Sequence, residues 1–261
     1  MNNGVKILVA LHKKYDVPLD DLYLPLHVGA EGKDDLGFTK DNDGDNISLK
    51  NPNFCELTGM YWAWKNLDED YVGLVHYRRY FGGDLNFEVG GKIKKILSKK
   101  QLECLLKEVD VVVPKKRNYL IETLYSHYDH TMYIEPLDCA GEIIREKYPE
   151  YYKEFELLKK RKSAHMFNMF IMKKNLFNKY CEWLFDVLFE LEKRVDVSLY
   201  DAFHARFYGR VSELLLDVWL NTNKIRYKEV SLQNIEKVNW GKKIFCFLKA
   251  KFGKEKYEKS F

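Results

Sequence analysis

The chain has 261 residues and a formal net charge of +4, and 46% of its residues are hydrophobic and 31% charged. This composition excludes a disordered chain, and the length fits one α/β domain with a short C-terminal extension. The five cysteines are scattered and form no C-x-x-C pair, which argues against a zinc site or a disulfide framework and favours a reducing compartment.

The two ends of the chain differ in character. The N-terminus begins with an apolar strand pattern instead of a signal peptide, and no apolar run reaches the ~20 residues that span a bilayer. We therefore expect a cytoplasmic protein. Residues 240–261 hold seven lysines and two glutamates, so this tail carries +5 and residues 1–239 carry −1. A nucleic-acid-binding domain is not expected to confine its positive charge in this way, so we expect no nucleic acid partner.

Predicted strands and helices alternate along the chain. In the first part of the chain, we expect a strand at 5–11, a strand at 22–30 with Pro25 at an edge or kink, a helix at 53–66, a strand at 71–81 and a basic amphipathic helix at 92–107. In the second part, we expect a strand at 109–113, mostly helix at 119–160, a strand at 167–172, helices at 175–194 and 209–220, and a strand at 225–231. This order predicts a mostly parallel central sheet flanked by helices, with ligands bound at the carboxyl ends of its strands.

The segment HYRRYF, which ends an apolar strand, contains His76, Arg78 and Arg79. Two adjacent guanidinium groups are costly to bury unless they have anionic partners. Their forked geometry suits bidentate binding of a diphosphate. The alternative is an edge strand whose arginines face water or pair with Asp68 and Asp70.

The stretch DNDGDN at 41–46 is rich in carboxylates, but it lacks the Gly and Glu spacing of an EF-hand. It is therefore predicted to be a turn-rich loop. Asp45 and Asn46 are candidates for hydrogen bonds to sugar hydroxyls. Alternatively, Asn51 or Asn53 caps the helix that follows.

Three further polar residues lie in apolar surroundings. His165 immediately precedes an apolar strand, and Asn168 is the polar member of that strand, so its amide must be satisfied by backbone or by a ligand. Glu213 lies near the predicted start of an apolar helix, where the helix dipole favours a carboxylate. It is a candidate general base or, alternatively, a residue that stabilises the first turn.

Metal sites and common catalytic motifs are not evident. His127 and His130 have a spacing that suits two metal ligands on one helix, but no third ligand is apparent. The chain contains no G-x-S-x-G, Walker loop, Rossmann glycine fingerprint or H-E-x-x-H motif. The commonest hydrolase, NTPase, dehydrogenase and metalloprotease classes are therefore not indicated.

The chain resembles a family of bacterial capsular and exopolysaccharide biosynthesis proteins known as a domain of unknown function. The resemblance covers most of residues 5–232 and rests on several segments in order: ILVALHKKYDVP (7–18), VGA (28–30), GDNISLKN (44–51), FCELTGMYWAWKN (54–66), YVGLVHYRRYF (71–81), VVVPKKRNYLIETLYSHY (111–128), FNMFIMKKNLFNKYCEWLFDVLFELEKR (167–194) and GRVSELLLDVWL (209–220).

The resemblance implies a GT-A-like nucleotide-sugar fold and, for some members, transfer of galactose or galactofuranose. It implies that His12, Lys13 and Lys14 meet the nucleotide. The HYRR segment then occupies the region where many GT-A enzymes have an acidic D-x-D metal motif. Because this segment is basic here, we expect Arg78 or Arg79 to neutralise the leaving diphosphate, with no metal and no other cofactor.

Together these features predict a glycosyltransferase that uses a UDP-sugar donor and a polyprenyl-diphosphate-linked oligosaccharide acceptor. We assign catalysis to Glu213, His76 and Arg78. Substrate binding is assigned to the residues His12, Lys13, Lys14, Asp45, Asn46, Arg79, Lys115, His165 and Asn168. The alternatives are a non-catalytic sugar-binding or polysaccharide-assembly scaffold and a glycoside hydrolase, for which no carboxylate pair stands out.

The catalytic domain is predicted to span 1–239 and the basic amphipathic tail 240–261. Lysines and apolar residues of the tail can share a helix that lies on an anionic membrane. We therefore expect a peripheral protein at the inner face of the cell membrane. A helix that packs on the catalytic domain, or one that pairs two subunits as a homo-oligomer, is the alternative.

Overall fold

The computed structural model describes residues 4–236, and the predicted amphipathic tail lies outside the described residues. The strands are β1 (Val5–Leu11), β2 (Tyr23–His27), β3 (Thr39–Lys40), β4 (Tyr71–His76), β5 (Arg79–Val89), β6 (Lys92–Ile96), β7 (Val111–Pro114), β8 (Arg117–Asn118), β9 (Ser163–Ala164), β10 (Phe170–Lys173), β11 (Lys228–Val230) and β12 (Leu232–Asn234). The α-helices are α1 (Asn51–Phe54), α2 (Leu57–Asn66), α3 (Lys99–Leu106), α4 (Leu124–Thr131), α5 (Glu135–Lys147), α6 (Pro149–Lys160), α7 (Lys174–Arg194) and α8 (Phe207–Thr222).

The central sheet has the strand order β11-β7-β10-β4-β1-β2-β3. Neighbouring strands run parallel except at β10, which is antiparallel to both β4 and β7. The predicted mostly parallel sheet flanked by helices is therefore confirmed. Within the described range, no helix is both long and apolar enough to cross a membrane.

Both faces of the central sheet are covered, which explains the continuous apolar run of β1. Leu8 and Ala10 pack into the cluster formed with α2, α5, α7 and α8. Ile7, Val9 and Leu11 pack on the opposite face with β5, β6 and α3. Burial of each large aliphatic side chain stabilises the fold by about 1.5–3 kcal/mol.

Residues 53–66 form parts of two helices instead of the single predicted helix. Cys55 separates α1 from α2 because its φ of 54° is left-handed, a conformation that ends a right-handed helix. Lys50 holds the N-cap position of α1 without a side-chain bond. The predicted capping by Asn51 or Asn53 is therefore not observed.

The predicted strand at 71–81 is divided by a reversal of the chain. β4 ends at His76, which pairs with Arg79 at the start of the antiparallel strand β5. Tyr77 and Arg78 form the two-residue turn between them. The change of direction leaves the basic residues at the end of β4 instead of inside a longer strand.

The predicted helix at 92–107 is in fact strand β6 followed by the shorter helix α3. Gly90 and Gly91 have φ values of 55° and 69°, and they close a hairpin in which Val89 pairs with Lys92. Two consecutive positive φ angles are typical of a type I′ turn, which Gly-Gly favours. This turn joins β5 to β6, so lysine-rich residues that have helical spacing form a strand.

Pro25 lies inside β2 and pairs with Val9 of β1. β3 pairs only with Leu26 and His27 on the other side of β2. Pro25 therefore stands where that side of β2 has no neighbour in β3, which agrees with the predicted edge position.

The loop that follows β2 is anchored by the carboxylate of Asp41, which has no exposed surface. It accepts hydrogen bonds from the backbone N–H groups of Gly29 and Ala30 at 2.7 and 3.0 Å. It also accepts from the hydroxyls of Ser48 and Thr58 at 2.5 and 2.6 Å. One buried carboxylate thus joins the loop to helix α2, which is a structural role.

Asp41→Ala leaves four buried donors without their acceptor, and we expect it to lower the free energy of unfolding by about 2–4 kcal/mol. Asp43→Ala is the matched control, because Asp43 is exposed in the same loop, and it should change stability by less than about 0.5 kcal/mol. Urea unfolding followed by circular dichroism measures both. Equal stabilities for the two variants would contradict the anchoring role.

Candidate active site

The carboxyl ends of the parallel strands form one edge of the sheet, and most of the predicted residues lie there. β1 leads into His12, β4 ends at His76 and β7 leads into Lys115. Because β10 is antiparallel, the residues that precede it, including Asn168, reach the same edge. This edge is where open α/β sheets bind ligands.

Arg78 lies on the turn between β4 and β5. Its guanidinium stands 5.0 Å from the centre of the Tyr77 ring and 3.7 Å from a carboxylate oxygen of Glu236. Asp68 and Asp70 precede β4 and therefore lie at the opposite edge of the sheet. The alternative pairing of the arginines with these two aspartates is not observed.

Arg79 and Arg117 lie against the ring of Phe167, at 4.4 and 6.0 Å from its centre. Burial lowers the pKa of Arg79; Glu213 opposes this shift, and the charge of Arg78 adds to it. Among residues 4–236, no carboxylate forms an ion pair with Arg79 or Arg117. A partly desolvated guanidinium without a direct ion pair is suited to an anionic ligand.

The loop after β1 packs against the turn that carries the arginines. The rings of His12 and Tyr15 make edge contacts with Tyr77 at 5.5 and 4.8 Å, and the Lys13 ammonium stands 5.6 Å from the Tyr77 ring. Partial burial lowers the pKa of His12, and the charges of Arg78 and Lys13 add to that shift. His12 and Lys13 therefore belong to the same basic cluster. Lys14 follows them in the same loop, and all three residues are exposed.

The side chain of Asn168 joins three elements at this edge. Its amide N–H group donates to Glu56 Oε1 at 2.7 Å and to the Gly209 carbonyl at 3.1 Å. Its carbonyl accepts from the Ser212 hydroxyl at 2.9 Å. The sequence left open whether backbone or a ligand satisfies the amide of Asn168. Protein groups satisfy it here, one of them a backbone carbonyl, and the amide positions Glu56.

The backbone before β10 is strained at the same point. Phe167 and Asn168 have φ values of 78° and 52°, and Cys55, beside Glu56, has a φ of 54°. Left-handed non-glycine residues cost about 1–3 kcal/mol each and persist only where the surroundings determine them. Such residues concentrate at functional sites, which is consistent with a functional role for this edge.

Glu56 also lies at this edge, although it is not among the site residues predicted from the sequence. Desolvation acts to raise its pKa, but His76, the Asn168 amide and Arg210 outweigh desolvation, so the pKa of Glu56 is lowered. His76 Nε2 donates to the Phe167 carbonyl at 2.6 Å, which fixes its ring beside Glu56. Glu56 is therefore ionised at neutral pH.

Glu213 lies in the second turn of α8, because the helix begins at Phe207. The predicted first-turn position is thus corrected. Its carboxylate stands 3.3 Å from the guanidinium of Arg210 and the residue is only 6% exposed. Arg210 therefore pairs with the charge of Glu213.

His165 has no exposed surface. Its Nδ1 faces the carboxylate of Asp217, and its Nε2 lies 3.0 Å from Glu229. Both ring nitrogens are therefore engaged inside the protein between α8 and β11. In this structure His165 joins α8 to β11, and its predicted contact with substrate stays a prediction.

Asp45 and Asn46 are not brought to the basic cluster. The Asp45 carboxylate accepts from Tyr61 at 3.2 Å, and its backbone carbonyl accepts from Asn66 at 2.8 Å. Asn66 ends α2, and Glu56 precedes its start, so about 15 Å of helix separate the two. Asn46 hydrogen-bonds within its own loop.

The two histidines of α4 share one carboxylate. His127 and His130 both contact the buried carboxylate of Glu122 through Nδ1, at 3.1 and 2.8 Å. Residues 4–236 contain no group of three His, Cys, Asp or Glu side chains placed to hold a metal ion. Arg78 and Arg79 lie at the end of β4, the position for which the sequence resemblance implies a D-x-D motif in many GT-A enzymes.

Four charged residues of the cluster were missed from the sequence: Glu56, Arg117, Arg206 and Arg210. Arg206 Nε lies 3.0 Å from the Cys55 sulfur, and burial raises the pKa of Cys55 to about 11. One sequence pattern could have indicated two of these residues: a charged residue within or beside an apolar run. Glu56 in FCELTGM and Arg210 in GRVSELLL both show it.

A family model and a solved structure are both similar to this chain. Residues 6–224 match the family described as a domain of unknown function, DUF4422, and the chain belongs to this family. No curated protein matches the chain significantly. The apo structure of the bifunctional glycosyltransferase WbbM is similar to this chain, with a TM-score of 0.79 and 30% identity over 90% of the chain. The chain spans 46% of that protein's length.

Arg79→Ala is expected to weaken binding of inorganic diphosphate by about tenfold or more, since it removes a charge-assisted contact. Arg226→Ala is the control, because Arg226 is exposed before β11 and lies at the opposite edge of the sheet. Titration calorimetry measures both affinities. Unchanged affinity in Arg79→Ala would exclude Arg79 from the anion site.

Proposed function

We propose that this protein is a glycosyltransferase that transfers a sugar from a UDP-sugar donor to an acceptor hydroxyl. The main support for this proposal is the basic cluster at the carboxyl edge of the sheet. It lies beside two carboxylates, the half-buried Glu56 and the buried Glu213. The similarity to a glycosyltransferase structure over 90% of the chain supports the same class.

In the proposed reaction, the guanidinium groups stabilise the departing UDP. Arg79 supplies a desolvated positive charge, and Arg78, His12 and Lys13 border it. Pre-organised charge of this kind acts where negative charge develops in the transition state, and it needs no reorganisation during the reaction. Each strong contact to the leaving group contributes on the order of 2–4 kcal/mol.

We propose that Glu56 takes the proton of the acceptor hydroxyl in an inverting displacement. The sequence favoured Glu213 for this role, but Glu213 is almost fully buried and paired with Arg210. Glu56 keeps some accessible surface and is held by Asn168. In this assignment, Glu213 positions Arg210 within the cluster.

The finer assignment is a galactosyl or galactofuranosyl transfer to a lipid-linked repeat unit of a capsule or exopolysaccharide. It rests on the sequence resemblance and on the basic character of residues 240–261. The predicted place of action is the inner face of the cell membrane. Lys14 and Lys115, both exposed at the carboxyl edge, are proposed to contact the donor or the acceptor.

A panel of UDP-, GDP- and dTDP-sugars with a lipid-diphosphate acceptor tests this function through acceptor-dependent release of nucleotide. We expect release from a UDP-sugar. Sugar binding without turnover of any nucleotide sugar would favour the non-catalytic scaffold. Hydrolysis of a glycosidic bond without nucleotide binding would favour the glycoside hydrolase.

Glu56→Gln should lower kcat by about 10²–10⁴-fold, the range for loss of a general base. Because the pKa of Glu56 is lowered, wild-type kcat/KM should fall with acid only below the ordinary glutamate range. Asn168→Ala removes a bond that lowers this pKa, so it should move the acid limb to higher pH. Full activity in Glu56→Gln would exclude Glu56 as the general base. A pH profile of Asn168→Ala equal to that of wild type would exclude the role of Asn168 in positioning Glu56.

Activity is expected to survive exhaustive treatment with EDTA, because the proposed reaction neutralises the diphosphate with arginine side chains. The measurement compares turnover before and after chelation in metal-free buffer. Complete loss of turnover, restored by manganese or magnesium, would contradict metal independence and direct attention to the acidic loop at 41–46.

A further inference from the structure

The loop after β7, residues 115–122, presents two large aliphatic side chains to solvent. Leu120 is 73% exposed and Ile121 is 59% exposed. They are consecutive in the chain, and neither contributes to the two apolar clusters of the fold. Contiguous exposed apolar surface is a feature of sites that contact a partner or a membrane, and these two side chains are adjacent.

The exposure of this pair is built into the backbone. Leu120 has a φ of 57°, and its N–H donates to the Asn118 side chain at 2.8 Å. The N–H of Ile121 donates to the Tyr119 carbonyl at 2.7 Å, and the N–H of Tyr119 donates to the Lys162 carbonyl at 2.8 Å. The loop is thus tied to strand β9, and its bonds hold both aliphatic residues outward.

The surface around the pair is cationic. Lys115, Lys116 and Lys162 are exposed, and the sequence of 115–122 and 160–163 contains one acidic residue, Glu122. Glu122 is only 3% exposed and contacts two histidines inside the protein. Its charge is therefore not presented beside the lysines.

The loop adjoins the candidate active site. The Arg117 guanidinium lies 4.9 Å from the Tyr119 ring and 6.0 Å from the Phe167 ring. Phe167 in turn contacts Arg79 at 4.4 Å. A partner that binds Leu120 and Ile121 is therefore a neighbour of the cluster at the strand ends.

We propose that the 115–122 loop docks the protein on an anionic lipid bilayer. Leu120 and Ile121 enter the interfacial region, and Lys116 and Lys162 contact lipid phosphates. This surface goes beyond the proposed function, since it does not depend on the transfer chemistry. It also differs from the tail at 240–261, and it brings the mouth of the site to the membrane.

Charge and residue type favour a bilayer over other partners. Single-stranded nucleic acid is bound by exposed aromatic rings, and the aromatic residue of this loop, Tyr119, is buried. A two-fold contact between copies of the chain would place the same lysines against each other. An anionic bilayer matches both the aliphatic pair and the lysines.

The direct test places a tryptophan at the loop tip. Because the chain already has five tryptophans, each variant is compared with wild type. Relative to wild type, Leu120→Trp should add emission that shifts to the blue on phosphatidylglycerol vesicles and that brominated lipid quenches. Leu19→Trp is the control, because Leu19 is fully exposed beside Asp20 and Asp21 before β2, at the opposite edge of the sheet. Equal quenching of both variants, or of neither, would overturn the proposal.

Binding measurements provide a second test. Leu120→Ser combined with Ile121→Ser, and separately Lys116→Glu combined with Lys162→Glu, should each reduce sedimentation with phosphatidylglycerol vesicles by about tenfold. Wild-type binding should be much weaker on phosphatidylcholine alone. Thermal unfolding checks that the variants fold. If the serine variant does not fold, the glutamate variant still tests the proposal.

The other outcomes identify other roles. Wild-type binding by both pairs, with binding lost only on deletion of 240–261, would assign docking to the tail and overturn the proposal. A changed oligomeric state with unchanged vesicle binding would make the loop a contact between copies. Loss of turnover on a short soluble acceptor would make it an acceptor site. Vesicle binding without turnover of any nucleotide sugar would contradict the proposed function and leave the docking surface intact.

Discussion

The side-chain amide of Asn168 is the interaction on which the candidate site depends. It fastens Glu56, at the start of α2, to Gly209 and Ser212 of α8. The antiparallel direction of β10 brings Asn168 to the edge where its parallel neighbours end. Without that reversal, the left-handed residues that precede β10 would lie at the far edge, away from the arginines.

Electrostatics give this arrangement its chemical character. Arg79 is partly desolvated beside Arg78 and Arg117, and the last two also stack on the aromatic rings of Tyr77 and Tyr119. Aromatic faces stabilise guanidinium groups without neutralising them. These contacts hold the positive charge in place, and Arg78 also lies 3.7 Å from a carboxylate oxygen of Glu236.

Much of the fold was predictable because burial imposes periodicity. The apolar runs of β1 and β7 and the helical spacing of α7 and α8 were read correctly. The errors arose where backbone conformation overrides side-chain pattern. Cys55 breaks a helix by adopting a left-handed φ, and the glycine pair at 90–91 turns lysine-rich residues into a hairpin. Neither conformation is visible in hydrophobic spacing.

The site was predictable only in part, for a related reason. His12, His76, Arg78 and Arg79 follow or end parallel strands, so the topology rule for open sheets placed them together. No comparable rule predicts which side chains from distant parts of the sequence contact one another in the folded protein. Three sets of residues show this limit: the missed Glu56, Arg117, Arg206 and Arg210, the enclosed His165, and the distant Asp45 and Asn46.

The central claim is that the arginines at the end of β4 hold the diphosphate of the donor. A crystal structure of the complex with UDP tests it most directly. We expect diphosphate oxygens within about 3.2 Å of the guanidinium nitrogens of Arg78 or Arg79. A diphosphate bound elsewhere, or one held through a metal ion on acidic side chains, would contradict it.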